Sequence, residues 1–287
     1  MRELLPQYLY YLLDNVVHVE DVAELRLRVG KPIKYMVNST SCTLYDGNTV
    51  AIASLSDIEH VLSIATGHSM YAHNDSVVRG YIAYKGGIRI GIAGVGIESK
   101  GVVTAIKDIS SIVIRVPHEC LGCATRIADT IGMFDTNVII ISPPGVGKTT
   151  MLRDYIRIAS NGGYNVVLVD ERDEIASMYK GRTSLDVGRN TDIISGVSKV
   201  VAYEMAVRTM SPDIVATDEI FGEDEMRGVE DIVRCGVHVV ATIHAKNLEY
   251  LRNSSYFRTI SLFDYAITLD RDAEGRIGSI EKIDWRD

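Results

Sequence analysis

The sequence predicts an α/β fold in two parts, a smaller α+β domain followed by a doubly wound parallel sheet. Three observations predict it. From Asn137 onward, apolar runs of strand length alternate with helical stretches, the rhythm of a parallel sheet with crossover helices. The first of those runs ends in Ser142-Pro143-Pro144-Gly145-Val146-Gly147-Lys148-Thr149, a glycine-rich loop that opens a helix. Before Pro117 the βα rhythm is missing, and helices mix with short alternating strands. The chain has 287 residues, enough for two domains, and the boundary is set to give domains 1–118 and 119–287.

In chain order, Leu4, Leu5, Tyr8, Leu9, Leu12 and Leu13 fall at helical spacing and predict an opening amphipathic helix. Glu24–Val29 alternates as a strand, and Gly30-Lys31-Pro32 turns the chain into a second strand, Ile33–Val37. Ser56–Thr66 has the cap and spacing of a helix that ends at Gly67. Gly80–Tyr84 and Ile88–Ala93, joined by Lys85-Gly86-Gly87, predict a hairpin in which Arg89 faces away from Ile88, Ile90 and Ile92. A strand Ser111–Val116 stops at Pro117, which has no N–H for a ladder, and a helix follows around Cys123–Gly132. The second domain has predicted strands Val138–Ser142, Asn165–Val169, Asp213–Thr217, Val237–Thr242 and Tyr265–Leu269. Helices are expected over Lys148–Ala159, Val200–Met210, Asp224–Cys235 and Leu248–Phe257.

Composition narrows the function classes. Hydrophobic residues make up 46% and charged residues 24%, ordinary for a soluble globular protein. The formal charge is −8 and Lys and Arg form no run, so the footprint of a nucleic-acid binder is missing and no nucleic-acid partner is expected. The start lacks an uninterrupted apolar h-region, and no stretch approaches the ~20 apolar residues of a membrane span, which places the chain in the cytoplasm. Its four cysteines are therefore expected as thiols. Cys120-Leu121-Gly122-Cys123 reads as CxxC, but a structural zinc needs about four ligands and only His118 stands near, so a plain linker is the better reading.

The chemistry lies at the strand ends. In the glycine-rich loop, Gly145 and Gly147 let backbone N–H groups turn toward phosphate oxygens. Lys148 brings a point charge for the β and γ phosphates, and Thr149 offers a hydroxyl to Mg²⁺. Pro144, Gly145, Val146, Gly147, Lys148, Thr149 and Thr150 are thus the candidate ATP-binding residues; Ser142 stands where the pattern usually has glycine. Asp213-Ile214-Val215-Ala216-Thr217-Asp218-Glu219 supplies two carboxylates at the edge where ligands gather, Asp218 for Mg²⁺ and Glu219 to activate water. A second acidic cluster, Asp170-Glu171-Arg172-Asp173-Glu174, ends another strand. Four carboxylates so close together are a costly arrangement near a triphosphate without metal, and Glu171 is the candidate catalytic residue of this cluster. Thr242 and His244 end a further strand on one face, which makes His244 the candidate sensor of the γ-phosphate.

Taken in order, the phosphate loop, acidic box, Walker B segment and histidine box resemble the hexameric ATPases of type II and type IV secretion and of type IV pili. Within that superfamily Val169–Ala176, Arg208–Asp213 and Gly86–Gly94 look closest to the stage III sporulation protein AA family, and the full Asp218-Glu219 pair is similar to that branch. The resemblance covers nearly the whole chain. It implies a RecA-like P-loop ATPase domain and arginines of the first domain that reach the terminal phosphate. By motif these are Arg89 in Gly-Gly-Ile-Arg and Arg115 in Ile-Arg-Val-Pro; a guanidinium near developing phosphate charge can act as an arginine finger. It also implies a homo-oligomeric hexameric ring and membrane-channel or secretion-complex partners. The work would be energising a channel from mother cell to forespore, with the chain peripheral to a membrane complex. The rivals are a nucleotide-dependent assembly switch with little hydrolysis, against which Glu219 argues, and a RecA-like motor on nucleic acid, against which the charge argues. A small-molecule kinase would need an acceptor pocket and lid.

Overall fold

A computed structural model of the chain describes residues 1–38, 40–69, 77–78, 80–132, 134–254 and 256–283. The chain divides into two compact units, Met1–His118 and Glu119–Asp287.

In the first unit, β1 (Glu24–Arg28), β2 (Lys34–Val37) and β3 (Thr40–Thr43) precede a two-residue hairpin, β4 (Tyr45–Asp46) with β5 (Thr49–Val50). After them come β6 (Tyr81–Ala83), β7 (Arg89–Ser99) and β8 (Val102–Arg115). The six longer strands form one antiparallel sheet in the order β3-β2-β1-β8-β7-β6. Only one face carries a core, which is why β1 alternates: Leu25 and Leu27 are fully buried while Arg26 stays half-exposed and Arg28 exposed. Leu9 and Leu13 of the helix Gln7–Asp14 and Ile58 and Val61 of the helix Leu55–Ala65 join that core. The second helix starts before the expected Ser56, because Ser54 and Asp57 form a reciprocal capping box.

In the second unit the strands are β9 (Val138–Ser142), β10 (Val166–Asp170), β13 (Thr191–Ser195), β14 (Ile214–Thr217), β15 (His238–His244), β16 (Tyr265–Leu269) and β17 (Ile277–Lys282); β11 (Met178–Tyr179) and β12 (Arg182–Thr183) make a separate small hairpin. The sheet order is β13-β10-β14-β15-β9-β16-β17, parallel throughout except for the antiparallel edge strand β17. Alternate residues of β9 enter opposite cores, Val138 and Ile140 on one face and Ile139 and Ile141 on the other. With both faces covered by apolar packing, the strand reads as a continuous apolar run. This is the doubly wound α/β architecture of a RecA-like domain, preceded by a smaller α+β unit.

Several expected elements differ in their bounds; the strand expected at Ile88–Ala93 runs over Arg89–Ser99 and that at Val237–Thr242 over His238–His244. The strand expected at Ser111–Val116 is the inner end of the fourteen-residue β8, whose outer half is largely exposed and so carries no apolar alternation. The helix expected over Val200–Met210 is helical at Lys199–Met205 and widens into a π turn at Ala206–Met210. Ser211 then takes φ 49°, ending the helix before Pro212. The helix expected over Leu248–Phe257 breaks after Arg252 and a separate short helix runs over Phe257–Ile260.

Candidate functional site: a phosphate loop and three strand ends

From β9 the chain passes through the loop into the helix Lys148–Asn161, and the next strand, β10, lies three places away with β14 and β15 between them. The carboxyl ends of β14 and β15 therefore stand next to that of β9, and His244 is the register partner of Ser142. Gly145 and Gly147 adopt φ 75° and 111°, a region closed to side chains at ordinary cost, and the helix has no side-chain cap on its free N–H groups. An uncapped helix start behind a left-handed turn is an anion site, so the loop fits a polyphosphate. Ser142 needs no glycine: it is the last, buried residue of β9, outside the left-handed region, and its hydroxyl donates to the Pro143 carbonyl at 2.8 Å.

Lys148, buried at the helix start, donates through Nζ to His244 Nδ1 at 2.7 Å, and His244 Nε2 lies 2.6 Å from Glu219 Oε1. Both short contacts fit one neutral tautomer: the ammonium donates into Nδ1 and Nε2–H donates to the carboxylate. Burial lowers the Lys148 pKa, opposed by the charges of Glu219 and Asp218. The partner it holds here is an imidazole nitrogen rather than a carboxylate, which leaves the ammonium available to an anion.

Glu219 is held at three points. Its backbone has φ 39°, unusual for a residue with a side chain, its N–H donates to Thr242 Oγ1 at 2.7 Å, and its carbonyl accepts from Lys199 Nζ at 2.7 Å. Thr242 and His244 lie on one face of β15, so a single strand grips both the backbone and the carboxylate of Glu219. Arg172 Nη1 stands 3.9 Å from the other carboxylate oxygen. Asp218 is buried, which raises its pKa to about 6 against the lowering effect of Lys199, whose Nζ is 3.6 Å away.

Mg²⁺ needs few protein oxygens when phosphates supply others. Thr149, directly after Lys148 at the helix start, and the buried Asp218 are the side chains that could supply them. Thr150 follows in the first turn, and its carbonyl faces Cys123 Sγ at 3.8 Å. Pro144 is exposed in the loop and Val146 buried beneath it.

The acidic box corrects one expectation. Asp170 is accommodated by its own loop without a metal: it is wholly buried and accepts from the N–H groups of Glu174, Ile175 and Ala176 at 2.8, 2.9 and 2.9 Å, while its charge helps to raise the Asp218 pKa. Asp173 accepts from the Met178 N–H. Two of the four carboxylates thus fold their own loop, and Glu171 stays half-buried at the same sheet edge. Arg153 secures that loop from the helix, donating to the carbonyls of Ile175 and Glu174 at 2.6 and 3.0 Å. Arg89 and Arg115 are register partners across β7 and β8 in the first unit. The Arg89 guanidinium lies over the Tyr81 ring and Arg115 is 3.6 Å from Glu24.

Cys120 and Cys123 do not reach a metal set: the two His118 ring nitrogens sit on the carbonyls of Val116 and Glu20, and Asp154 instead ties this segment to the loop helix by accepting from Gly122 and Ala124. Sequence reasoning missed Lys199, which also lies 3.3 Å from Glu225 and clamps the Asp218–Glu219 turn. A single lysine at a helix start carries no signal of that role. It also missed Tyr203, whose hydroxyl donates to Thr217 Oγ1 at 3.1 Å and whose ring fills the space a Cβ on Gly228 would take. Arg271 and Arg276, between β16 and β17, approach the phosphate loop and were not singled out either.

The comparisons agree with this architecture. The chain is 29% identical over 259 residues to stage III sporulation protein AA of Bacillus subtilis (strain 168), covering 88% of this chain and 83% of that protein. Its fold is similar to the ATPase DotB of Yersinia pseudotuberculosis, with a TM-score of 0.61 at 17% identity over 92% of this chain and 74% of the other. It is also similar to the pilus retraction motor PilT with bound ADP, with a TM-score of 0.60 at 13% identity over 92% and 77%. Residues 2–284 match the family described as sporulation stage III, protein AA. The chain belongs to the sporulation stage III, protein AA family.

Proposed function

We propose that this protein binds ATP with Mg²⁺ at Pro144–Thr150 and hydrolyses it, as the motor of a ring assembly. The observation that carries the proposal is the unbroken chain Lys148, His244, Glu219 at the carboxyl edge of the sheet. It joins the cation suited to the phosphates to the carboxylate suited to water activation through one imidazole. A phosphate that takes the Lys148 ammonium removes a donor from His244, and His244 is the donor that holds Glu219. Nucleotide occupancy and the state of the general base are thereby linked within one hydrogen-bonded path.

In this reading Glu219 orients and deprotonates the attacking water, with Lys199 and Thr242 fixing its backbone. Thr149 and Asp218 hold Mg²⁺, which supplies charge neutralisation at the phosphates. His244 senses the terminal phosphate, Glu171 contributes a further carboxylate at the same edge, and Arg89 and Arg115 serve the terminal phosphate as arginine fingers. The family and the fold support a motor: the fold neighbours are an ATPase and a pilus retraction motor. Among the described residues no helix is long and apolar enough to cross a membrane. We place the chain in the cytoplasm as a hexameric ring, peripheral to a membrane channel or secretion complex that its hydrolysis energises between mother cell and forespore.

The test compares the parent chain with Glu219→Gln for ATP turnover and for mass in solution, each with and without ATP and Mg²⁺. The parent is expected to turn over ATP as a ring. Glu219→Gln should keep binding and assembly and lose turnover by about 10²–10⁴-fold, the usual worth of a general base. A parent that stays monomeric and idle with Mg·ATP would refute the motor and leave a nucleotide-dependent switch.

A further inference from the structure

We infer that Arg271 and Arg276 are a second set of nucleotide-binding cations, carried on the β16–β17 hairpin and directed at the phosphates that ATP and ADP share. The inference rests on the nucleotide reading of the loop and extends it to residues outside its motifs.

The two arginines flank the turn Asp270–Arg276 and meet the phosphate loop at its two left-handed glycines. A Cβ built on Gly145 would lie 3.8 Å from Arg271 Nη2, and one built on Gly147 would lie 3.7 Å from Arg276 Cδ. Arg276 Nη1 also donates to the Val146 carbonyl at 3.4 Å. The hairpin thus lays the Arg271 guanidinium beside Gly145 and the Arg276 side chain beside Val146 and Gly147. Two features mark this as a built arrangement. Arg276 takes φ 62°, a left-handed conformation unfavourable for a residue with a side chain, directly after Gly275 at φ 61°. Among the described residues neither guanidinium is held by an ion pair, although Asp270 and Asp272 stand in the same turn; Asp270 instead accepts from the Asp272 N–H.

The sheet order decides which part of the nucleotide these cations address. β9 carries the loop, with β15 and β14 on one side and β16 and β17 on the other. His244 and Glu219, the groups suited to the bond being broken, come from β15 and the turn after β14. Arg271 and Arg276 come from the opposite side. They therefore face the end of the polyphosphate remote from the hydrolysed bond, where ATP and ADP are alike. A guanidinium fork suits phosphate oxygens, and among the described residues neither fork is paired with a carboxylate.

The experiment measures binding of ADP and of a non-hydrolysable ATP analogue to the full chain with Mg²⁺ by calorimetry, for the parent, Arg271→Gln, Arg276→Gln and the corresponding Lys variants. Unfolding midpoints without nucleotide are recorded alongside. Each Gln variant is expected to weaken both nucleotides by a similar factor, about tenfold for one charge-assisted contact, and the Lys variants to recover part of it. Gln variants that bind both nucleotides as the parent does would overturn the inference while leaving the nucleotide site standing. Loss confined to the ATP analogue would also overturn it, since it would place the arginines at the terminal phosphate. A parent that binds neither nucleotide would remove the nucleotide reading itself. If a Gln variant does not fold, its Lys counterpart and the other arginine decide the matter, because charge is kept in the first and the second is independent.

Discussion

Replacing Lys199 with Met tests how the hydrolytic turn is held. The Lys199 side chain is 7% exposed, and its Nζ lies 2.7 Å from the Glu219 carbonyl, 3.3 Å from Glu225 and 3.6 Å from Asp218. Methionine fills a similar volume but leaves the Asp218 carboxylate in its buried place without the nearest cation. Breaking a buried pair from one side costs about 3–5 kcal/mol, and the low end applies here because Asp218 can protonate. A loss of about 3 kcal/mol lowers the melting temperature of a domain this size by roughly 6–12 °C. The pH dependence gives the sharper test. Asp218 already has its folded pKa raised to about 6 from 3.8, so between those values the folded state binds the extra proton and stability falls as pH rises. Removing Lys199 takes away the influence that lowers this pKa and widens the window. The deficit of Lys199→Met should therefore be largest at pH 8, shrink as pH falls toward 6, and level off below that, where Asp218 is protonated in both folded chains. Thermal unfolding of the nucleotide-free chain across that range, with Asp218→Asn and the double variant, measures it. A deficit independent of pH, or one that Asp218→Asn does not relieve, would refute the reasoning.

Other consequences follow from single contacts. Asp170→Ala leaves the buried N–H groups of Ile175 and Ala176 and the part-buried one of Glu174 without their acceptor, and should lower stability by about 3 kcal/mol in urea unfolding; an unchanged midpoint would show that the loop finds other acceptors. Burial, reinforced by Asp154, pushes the Cys123 thiol up to about 12, whereas Cys120 and Cys235 are exposed. Alkylation of the native chain at pH 8, followed by mass spectrometry, should modify Cys120 and Cys235 well before Cys123. Equal labelling of Cys120 and Cys123 would count against the packing of Cys123 on the loop helix.

Much of the second unit could be read from the sequence because a strand covered on both faces must be apolar along its length. Val138–Ser142 and Tyr265–Leu269 were delimited to the residue for that reason. The edge strands Thr191–Ser195 and Ile277–Lys282 were missed, since a partly exposed strand tolerates polar residues and loses the pattern. The period of two also placed Thr242 and His244 on one face, and Glu219 is where that face closes. Periodicity could not show that Asp170 turns inward to three amides while its neighbours do not, because the burial of one carboxylate depends on how the loop behind it folds.

By itself the sequence pointed to the candidate groups that depend on near neighbours in the chain: the glycines, lysine and threonine of one loop, the acidic pair ending one strand, the histidine ending another. Those groups are marked by a few backbone angles and by the strand period, both local quantities. Only the tertiary structure decided which distant side chains stand beside the loop and the acidic turn. Lys199 comes from the start of another helix and Arg271 and Arg276 from the last hairpin, and each meets the loop or the acidic turn because the strand order brings its element there. The charge of such a residue is written in the chain, but its partner is chosen by packing across many intervening residues, which no local pattern encodes.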